Sequence, residues 1–160
     1  MQLSGTTLLA ALLITQFSVY PVGQNKAKKC PTAVADHIPT VSFCELVHNP
    51  ALYDRKVVRV KATFLIGAET RIIYDARCKE EAWVEFDYFF DECTDRKIRD
   101  SLWKLKAPDG EGMFKDGIRE SEITAVGLFV HGQEGFGHMN AYKFEFTIKW
   151  IDRIKGASKK

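Results

Sequence analysis

His131 and His138 bracket a glycine-rich stretch that continues Gly135-Phe136-Gly137-His138-Met139-Asn140. A histidine beside a carboxylate can move protons near neutral pH, so a hydrolase-like centre here would need Asp75 or Glu85 brought alongside from another element. The competing reading is structural: Gly135 and Gly137 shape a turn whose backbone is hydrogen-bonded by His138 and Asn140. Four cysteines, Cys30, Cys44, Cys78 and Cys93, are the other reactive groups. None falls in a C-x-x-C pair, and their irregular spacing relative to His131 and His138 does not compose a zinc ligand set. An even number favours two bridges formed in an oxidising compartment, with three pairings open.

Aromatic residues offer a second kind of chemistry, recognition through an apolar surface. Tyr88-Phe89-Phe90 and Trp103 could gather into a patch beside Lys97 or Lys104, although core packing competes for the same rings. Together with His131, His138 and Asn140 they form the candidate binding or loop-organising set. No catalytic residue, metal ligand or cofactor is assigned. The chain has no phosphate-cradling glycine loop, dinucleotide fingerprint, zinc helix or nucleophile elbow. Asp91, Glu92 and Asp95 lack the order of a calcium-binding loop.

The charge pattern narrows the partners. The 160 residues carry 23 basic and 21 acidic side chains, a net charge of +2 with the histidines neutral, so no strong field favours nucleic acid or an anionic membrane. Arg59, Lys61, Arg71, Tyr74 and Trp83 could compose a single-strand binding surface, but Asp75, Glu81, Glu85 and Asp87 stand close to them in sequence. Nucleic acid is therefore the disfavoured partner. Near the start, Leu8-Leu9-Ala10-Ala11-Leu12-Leu13-Ile14 is an apolar run too short to span a membrane, followed by a more polar stretch. This reads as a secretory signal segment over 1–27, with a buried N-terminal helix as its alternative. It implies no stable transmembrane anchor after cleavage, and a secreted or periplasmic location.

The elements that must position these groups are mainly strands. From 56 to 66 the alternation of Val58, Val60, Ala62, Phe64 and Ile66 against Val57, Arg59, Lys61, Thr63 and Leu65 has the two-residue period of a strand with one buried face. Shorter strands are predicted at Arg71-Ile72-Ile73-Tyr74 and Trp83-Val84-Glu85-Phe86, a fourth from 124 to 130, and a fifth in which Tyr142, Phe144, Phe146, Ile148 and Trp150 share a buried face. A short helix over 41–47 is ended by Asn49-Pro50. Residues 95–105 suit a second helix within an otherwise poorly patterned stretch from 91 to 122, where Pro108-Asp109-Gly110 marks a turn and 112–117 a loop. Gly127 inside the fourth strand signals a bulge or a close backbone approach. The 155–160 end is expected to fray.

Four pieces in order, Cys44-Glu45-Leu46, the run from Asn49-Pro50 through Val60, Tyr74-Asp75-Ala76-Arg77-Cys78, and Gly135-Phe136-Gly137-His138-Met139-Asn140-Ala141-Tyr142, resemble a group of small exported bacterial proteins with OB-like domains and no clearly assigned activity. The resemblance spans most of 41–153. It implies that Cys44 pairs with Cys78, leaving Cys30 and Cys93 as the second bridge, and it carries no catalytic residues. The 91–122 stretch and the extra cysteines match no feature of that group.

The resulting expectation is a mainly β chain, a small OB-like five-stranded barrel with one or two short helices and an extended loop insertion, with a sandwich as the competing architecture. Its divisions are the signal segment over 1–27, a tail over 28–40, the domain over 41–153 and a basic tail over 154–160. The functional expectation is a disulfide-stabilised binding or interaction module for an envelope or extracellular protein, a peptide or a glycan. The histidine-based enzyme and the single-strand nucleic-acid binder are its alternatives.

Overall fold

The computed structural model describes residue 30 and residues 37–67, 69–106 and 119–159. The expected signal segment, most of the 28–40 tail, and the turn and loop expected at 108–110 and 112–117 lie outside the described residues. In chain order the elements are β1 (Thr40–Ser42), α1 (Phe43–His48), α2 (Pro50–Tyr53), β2 (Lys56–Ile66), β3 (Arg71–Tyr74), β4 (Glu81–Phe86), α3 (Phe90–Cys93), α4 (Arg96–Lys106), β5 (Arg119–Phe136), a 3-10 turn (His138–Asn140) and β6 (Tyr142–Lys159).

The strands make one mixed sheet in the order β1-β2-β3-β4-β6-β5, with a further antiparallel pairing of β2 to β5 along all eleven residues of β2. β1 runs parallel to β2 and β4 runs parallel to β6; the other pairings are antiparallel. Among the described residues the expected OB-like five-stranded barrel with one or two helices is corrected to a six-stranded mixed sheet accompanied by four helices, in which the β2–β5 pairing joins β2, β3, β4, β6 and β5 into a closed circuit of neighbours. The reason is physical. Alternation along a segment reports which face is buried but not which distant strand lies beside it. A three-residue parallel strand such as β1 leaves almost no periodicity to read.

Local chemistry explains the short helices. Ser42 accepts the Glu45 N–H at 3.1 Å through its side chain and so caps α1, turning β1 directly into a helix where the sequence pattern suggested helix throughout. Asn49 ends α1, and Pro50 opens α2 at a position that needs no backbone donor. In α4, Asp95 accepts the Lys97 N–H at 2.9 Å, and Ile98, Leu102 and Leu105 form the inward stripe.

Phe43 and Leu46 from α1, Phe90, Leu102 and Leu105 from α3 and α4, and Val58, Val60, Phe64, Phe129, Phe146 and Ile148 from the sheet bury into one core cluster. Each large apolar side chain contributes about 1.5–3 kcal/mol when fully buried, against about 0–1 kcal/mol for an exposed ion pair. The core therefore sets stability. On the opposite sheet face, Leu65, Ile72 and Trp83 form a smaller cluster with Tyr74, Phe136 and Tyr142 against it.

β5 and β6 both run longer than the sequence pattern suggests. β5 continues through the histidine- and glycine-rich segment to Phe136, and β6 stays paired to Lys159, where fraying was expected. Two bulges reset the inward face of β6. Gly127 pairs with Ile148 and Val126 with Trp150, leaving Lys149 as an extra residue; Ala125 pairs with Ile151 and Thr124 with Arg153, leaving Asp152 as another. Phe144, Phe146 and Ile148 point inward, but after the first bulge Ile151 takes the buried position and Trp150 turns to the half-buried outer face. The single aromatic row expected from Tyr142 to Trp150 is corrected accordingly.

Gly127 lies at that first bulge, where an added Cβ would fall 2.6 Å from both the Phe146 ring and the Thr147 carbonyl oxygen. Gly127→Ala is expected to cost about 1–3 kcal/mol by overpacking this junction. The check is the denaturant midpoint, which should fall with an unchanged slope; an unaltered midpoint would show that the bulge tolerates a methyl group.

Candidate functional site

β1 and β3 approach each other along the same edge of β2. β1 ends with Ser42 opposite Lys61, and β3, running the other way, ends with Tyr74 opposite Thr63, so only Ala62 separates the two partners' last pairings. Neither strand can continue without colliding with the other, and each chain leaves the sheet there. β1 turns into α1, and β3 turns into the loop 75–77. The Cys44–Cys78 disulfide joins the two departing segments, with their Cα atoms 5.5 Å apart. Cys78 is buried and Cys44 is half-buried against the core.

A cleft of about 540 Å³ opens at this junction, lined by Thr40, Val41 and Ser42 of β1, Lys61, Ala62 and Thr63 of β2, Asp75, Ala76 and Arg77 of the loop, and Glu122 of β5. That volume falls within the roughly 300–1,000 Å³ range of small-ligand sites. Its charged groups interlock. Asp75 Oδ1 accepts the Arg77 backbone N–H and Nε–H, each at 3.0 Å, while Oδ2 accepts from Arg77 Nη2. The Cys78 N–H donates to the Asp75 carbonyl at 3.1 Å, so one aspartate organises the whole loop ahead of the disulfide. Arg77's side-chain and backbone hydrogen bonds hold the Asp75 carboxyl down to about 2, with a smaller contribution from the Lys61 charge and some opposition from burial. Glu122 bridges Lys155 at 2.8 Å and Lys61 at 3.2 Å, and these two ammonium groups, Lys155 foremost, lower its pKa.

The residues singled out by sequence fall elsewhere. Phe90 is in the core, its ring 4.7 Å from Phe86, whereas Tyr88 is 88% exposed with Phe89 edge-on to it at 5.0 Å. Trp103 is 42% exposed on α4. The rings are thus divided between core and surface. His131 lies in β5 with its ring 5.6 Å from Phe144 and its backbone N–H donating to Asp54 at 2.9 Å. His138 Nε2 stands 3.7 Å from Glu69, both side chains exposed, outside hydrogen-bond reach. Asn140 and Met139 both hold left-handed backbone in the turn, and Gly137 lies so close over Trp83 that any Cβ would strike the indole. Cys30 pairs with Cys93 at the end of α3. Among the described residues, no three His, Cys, Asp or Glu side chains gather where they could hold a metal ion.

The groups weighed for nucleic-acid binding have carboxylate partners or are covered. Arg59 donates to Asp152 at 2.8 Å, Arg71 to both oxygens of Glu85, and Tyr74 to Glu120 at 2.7 Å. Trp83 is buried, with its Nε1–H on Glu85 at 2.7 Å and the Arg71 guanidinium 5.3 Å from its ring.

No protein-family model matches this chain, and neither a curated protein nor a solved structure matches it. The chemistry of the cleft therefore rests on its own geometry. Sequence reading missed Lys61, Arg77, Glu122 and Lys155 as a group because three strands and a loop contribute them. The one local signal was Asp75-Ala76-Arg77-Cys78, an acid and a base two residues apart beside a cysteine.

Because Asp75 is more acidic in the folded chain than in the unfolded one, its contribution to stability is complete above about pH 4 and is lost as the pH falls through about 2. The side-chain carboxyl carbon of Asp75, followed by NMR, is expected to titrate near 2, and Arg77→Gln to return it toward the ordinary aspartate range. An ordinary midpoint in the unsubstituted chain would contradict the Asp75–Arg77 pairing.

Proposed function

We propose that this chain is a disulfide-stabilised binding module of an oxidising compartment, secreted or periplasmic, whose cleft between β1, β2 and the loop 75–77 takes a polar peptide segment. The observation that carries this reading is the staple. Cys44–Cys78 joins the ends of two chain segments that both line the cleft, so less binding energy is spent on ordering them. The cleft has both charge signs, hydroxyls from Thr40, Ser42 and Thr63, and a short apolar floor at Val41 and Ala62. This composition suits hydrogen bonding to a peptide better than it suits an apolar cofactor. The histidines contribute nothing to this cleft, which favours binding over proton-transfer chemistry. Two bridges and the absence of a free cysteine among the described residues support the oxidising location. No helix among the described residues is long and apolar enough to cross a membrane.

Selection of peptides from a displayed random library against the oxidised protein tests the reading. Selected peptides are expected to shift the backbone amides of 40–42, 61–63 and 75–77, and to bind about tenfold or more weakly to Cys44→Ser/Cys78→Ser. Failure to enrich any peptide, or binders that map elsewhere and ignore the staple, would overturn it. For location, thiol labelling of the native protein should find all four cysteines blocked in a secreted or periplasmic fraction; reduced cysteines in a cytosolic fraction would contradict the assignment.

Loss of the staple also has a thermodynamic signature. The bridge spans 34 residues of sequence, which corresponds to about 4 kcal/mol of chain entropy removed from the unfolded state. Cys44→Ser/Cys78→Ser should lose stability of that order in denaturant unfolding. A loss below about 1 kcal/mol would mean that the wall segments are ordered without it.

A further inference from the structure

We infer that the outer sheet face around Trp83, which shares no lining residue with the cleft, is a second interaction surface whose partner is a basic segment of another protein. Its floor is apolar. Leu65, Ile72 and Trp83 are buried there, and Phe136 and Tyr142 are half-buried against them, the Tyr142 ring 5.5 Å from that of Trp83. Gly137 lies against the indole and brings the turn 138–140 down on it. That turn keeps Met139 and Asn140 in left-handed backbone and leaves Met139 86% exposed. Such backbone costs a non-glycine residue about 1–3 kcal/mol, so packing on Trp83, and not local preference, holds Met139 out. Aromatic rings, methionine and arginine gathered on one face are the composition of protein-binding surfaces.

Charge identifies the partner. Glu81, Trp83 and Glu85 alternate along β4 and share its outer face, since Ala82 and Val84 lie in the core, and Glu145 of β6 stands opposite Trp83 in the register. Glu85 is engaged, by Arg71 at 2.9 and 2.8 Å and by the Trp83 indole N–H at 2.7 Å. Lys143 lies 3.7 Å from Glu80, and Glu145 accepts the Thr147 hydroxyl at 3.1 Å. Among the described residues neither Glu81 nor Glu145 has a cation partner. Over the loop 67–70, β3, β4 and the β5–β6 hairpin from 130 to 145, five carboxylates, Glu69, Glu81, Glu85, Glu134 and Glu145, stand against two cations, Arg71 and Lys143, while Lys79 and Glu80 just before β4 cancel. With its histidines neutral this face is therefore three charges negative in a chain that is +2 overall, a field that draws cations and repels nucleic acid and anionic lipid. The face already holds one cation in the manner a partner would use: the Arg71 guanidinium lies 5.3 Å from the Trp83 ring while donating to Glu85. A partner's lysine or arginine repeats that arrangement with its stem on Tyr142 and Phe136 and its charge toward Glu81 and Glu145.

The experiment uses the oxidised full chain and follows backbone amides by NMR at matched ionic strength, with acetyl-glycyl-arginyl-arginyl-glycinamide as the basic probe and acetyl-glycyl-glutaminyl-glutaminyl-glycinamide as its neutral counterpart. The basic probe is expected to shift the 81–85 and 142–147 amides saturably and to bind about fivefold or more tightly than the neutral one, the worth of two partly exposed charge contacts. Added salt should remove most of that difference. Glu81→Gln/Glu145→Gln should erase the preference, whereas Lys61→Gln, in the cleft, should leave it unchanged; amide shifts of the β2–β5 pairing that match the unsubstituted chain verify that each variant is folded. Equal binding of the two probes at this face, a preference that survives Glu81→Gln/Glu145→Gln, shifts confined to other residues, or no shift with either probe would each overturn the assignment. None of these outcomes bears on the cleft, which the peptide selection tests separately.

Discussion

β2 has to serve three neighbours with two edges. One edge is occupied along its full length by β5, so β1 and β3 must divide the other. Because β1 runs parallel and β3 antiparallel, they advance toward each other and stop on either side of Ala62. Hydrogen-bond geometry then forces both chains off the sheet at neighbouring points, and a cleft forms where they part. The charged groups that line this cleft, Lys61, Asp75, Arg77 and Glu122, meet where the two chains part.

Two energy scales operate on this arrangement. The core holds the sheet and helices together through large buried side chains such as Phe43, Phe64, Phe129 and Phe146, each far outweighing any ion pair at the rim. The cleft opens at the surface where β1 and β3 leave β2, and its lining carries charged groups. There the disulfide substitutes for core, limiting how far the loop and the start of α1 can separate. Cys30–Cys93 acts in the same way at the end of α3, beside Thr94, whose buried hydroxyl accepts the Ile151 N–H at 3.3 Å.

The long strands were legible because their burial pattern is local. Val58, Val60, Ala62 and Phe64 alternate without interruption, and all four are buried. The pattern misled where one extra residue reversed it: beyond Ile148 the bulge at Lys149 turns Trp150 out and Ile151 in, and only the partner strand shows the shift. Architecture was less legible than strands, since β1 is three residues long and the β4–β6 contact joins segments nearly sixty residues apart. The cleft was least legible of all. Conspicuous residue types drew attention to His131, His138 and the Tyr88-Phe89-Phe90 run, whereas its working groups are ordinary lysines, arginines and carboxylates whose meaning lies in which strands meet.

Cys44–Cys78 limits how far the exits of two strands that compete for one edge of β2 can separate. Amide hydrogen exchange, compared between the oxidised chain and Cys44→Ala/Cys78→Ala under conditions where both remain folded, tests it most directly. Exchange is expected to quicken about tenfold or more at 40–44 and 75–78, while the β5–β6 pairing over 123–129 changes far less. Acceleration spread evenly over the sheet, or none at the two wall segments, would contradict it.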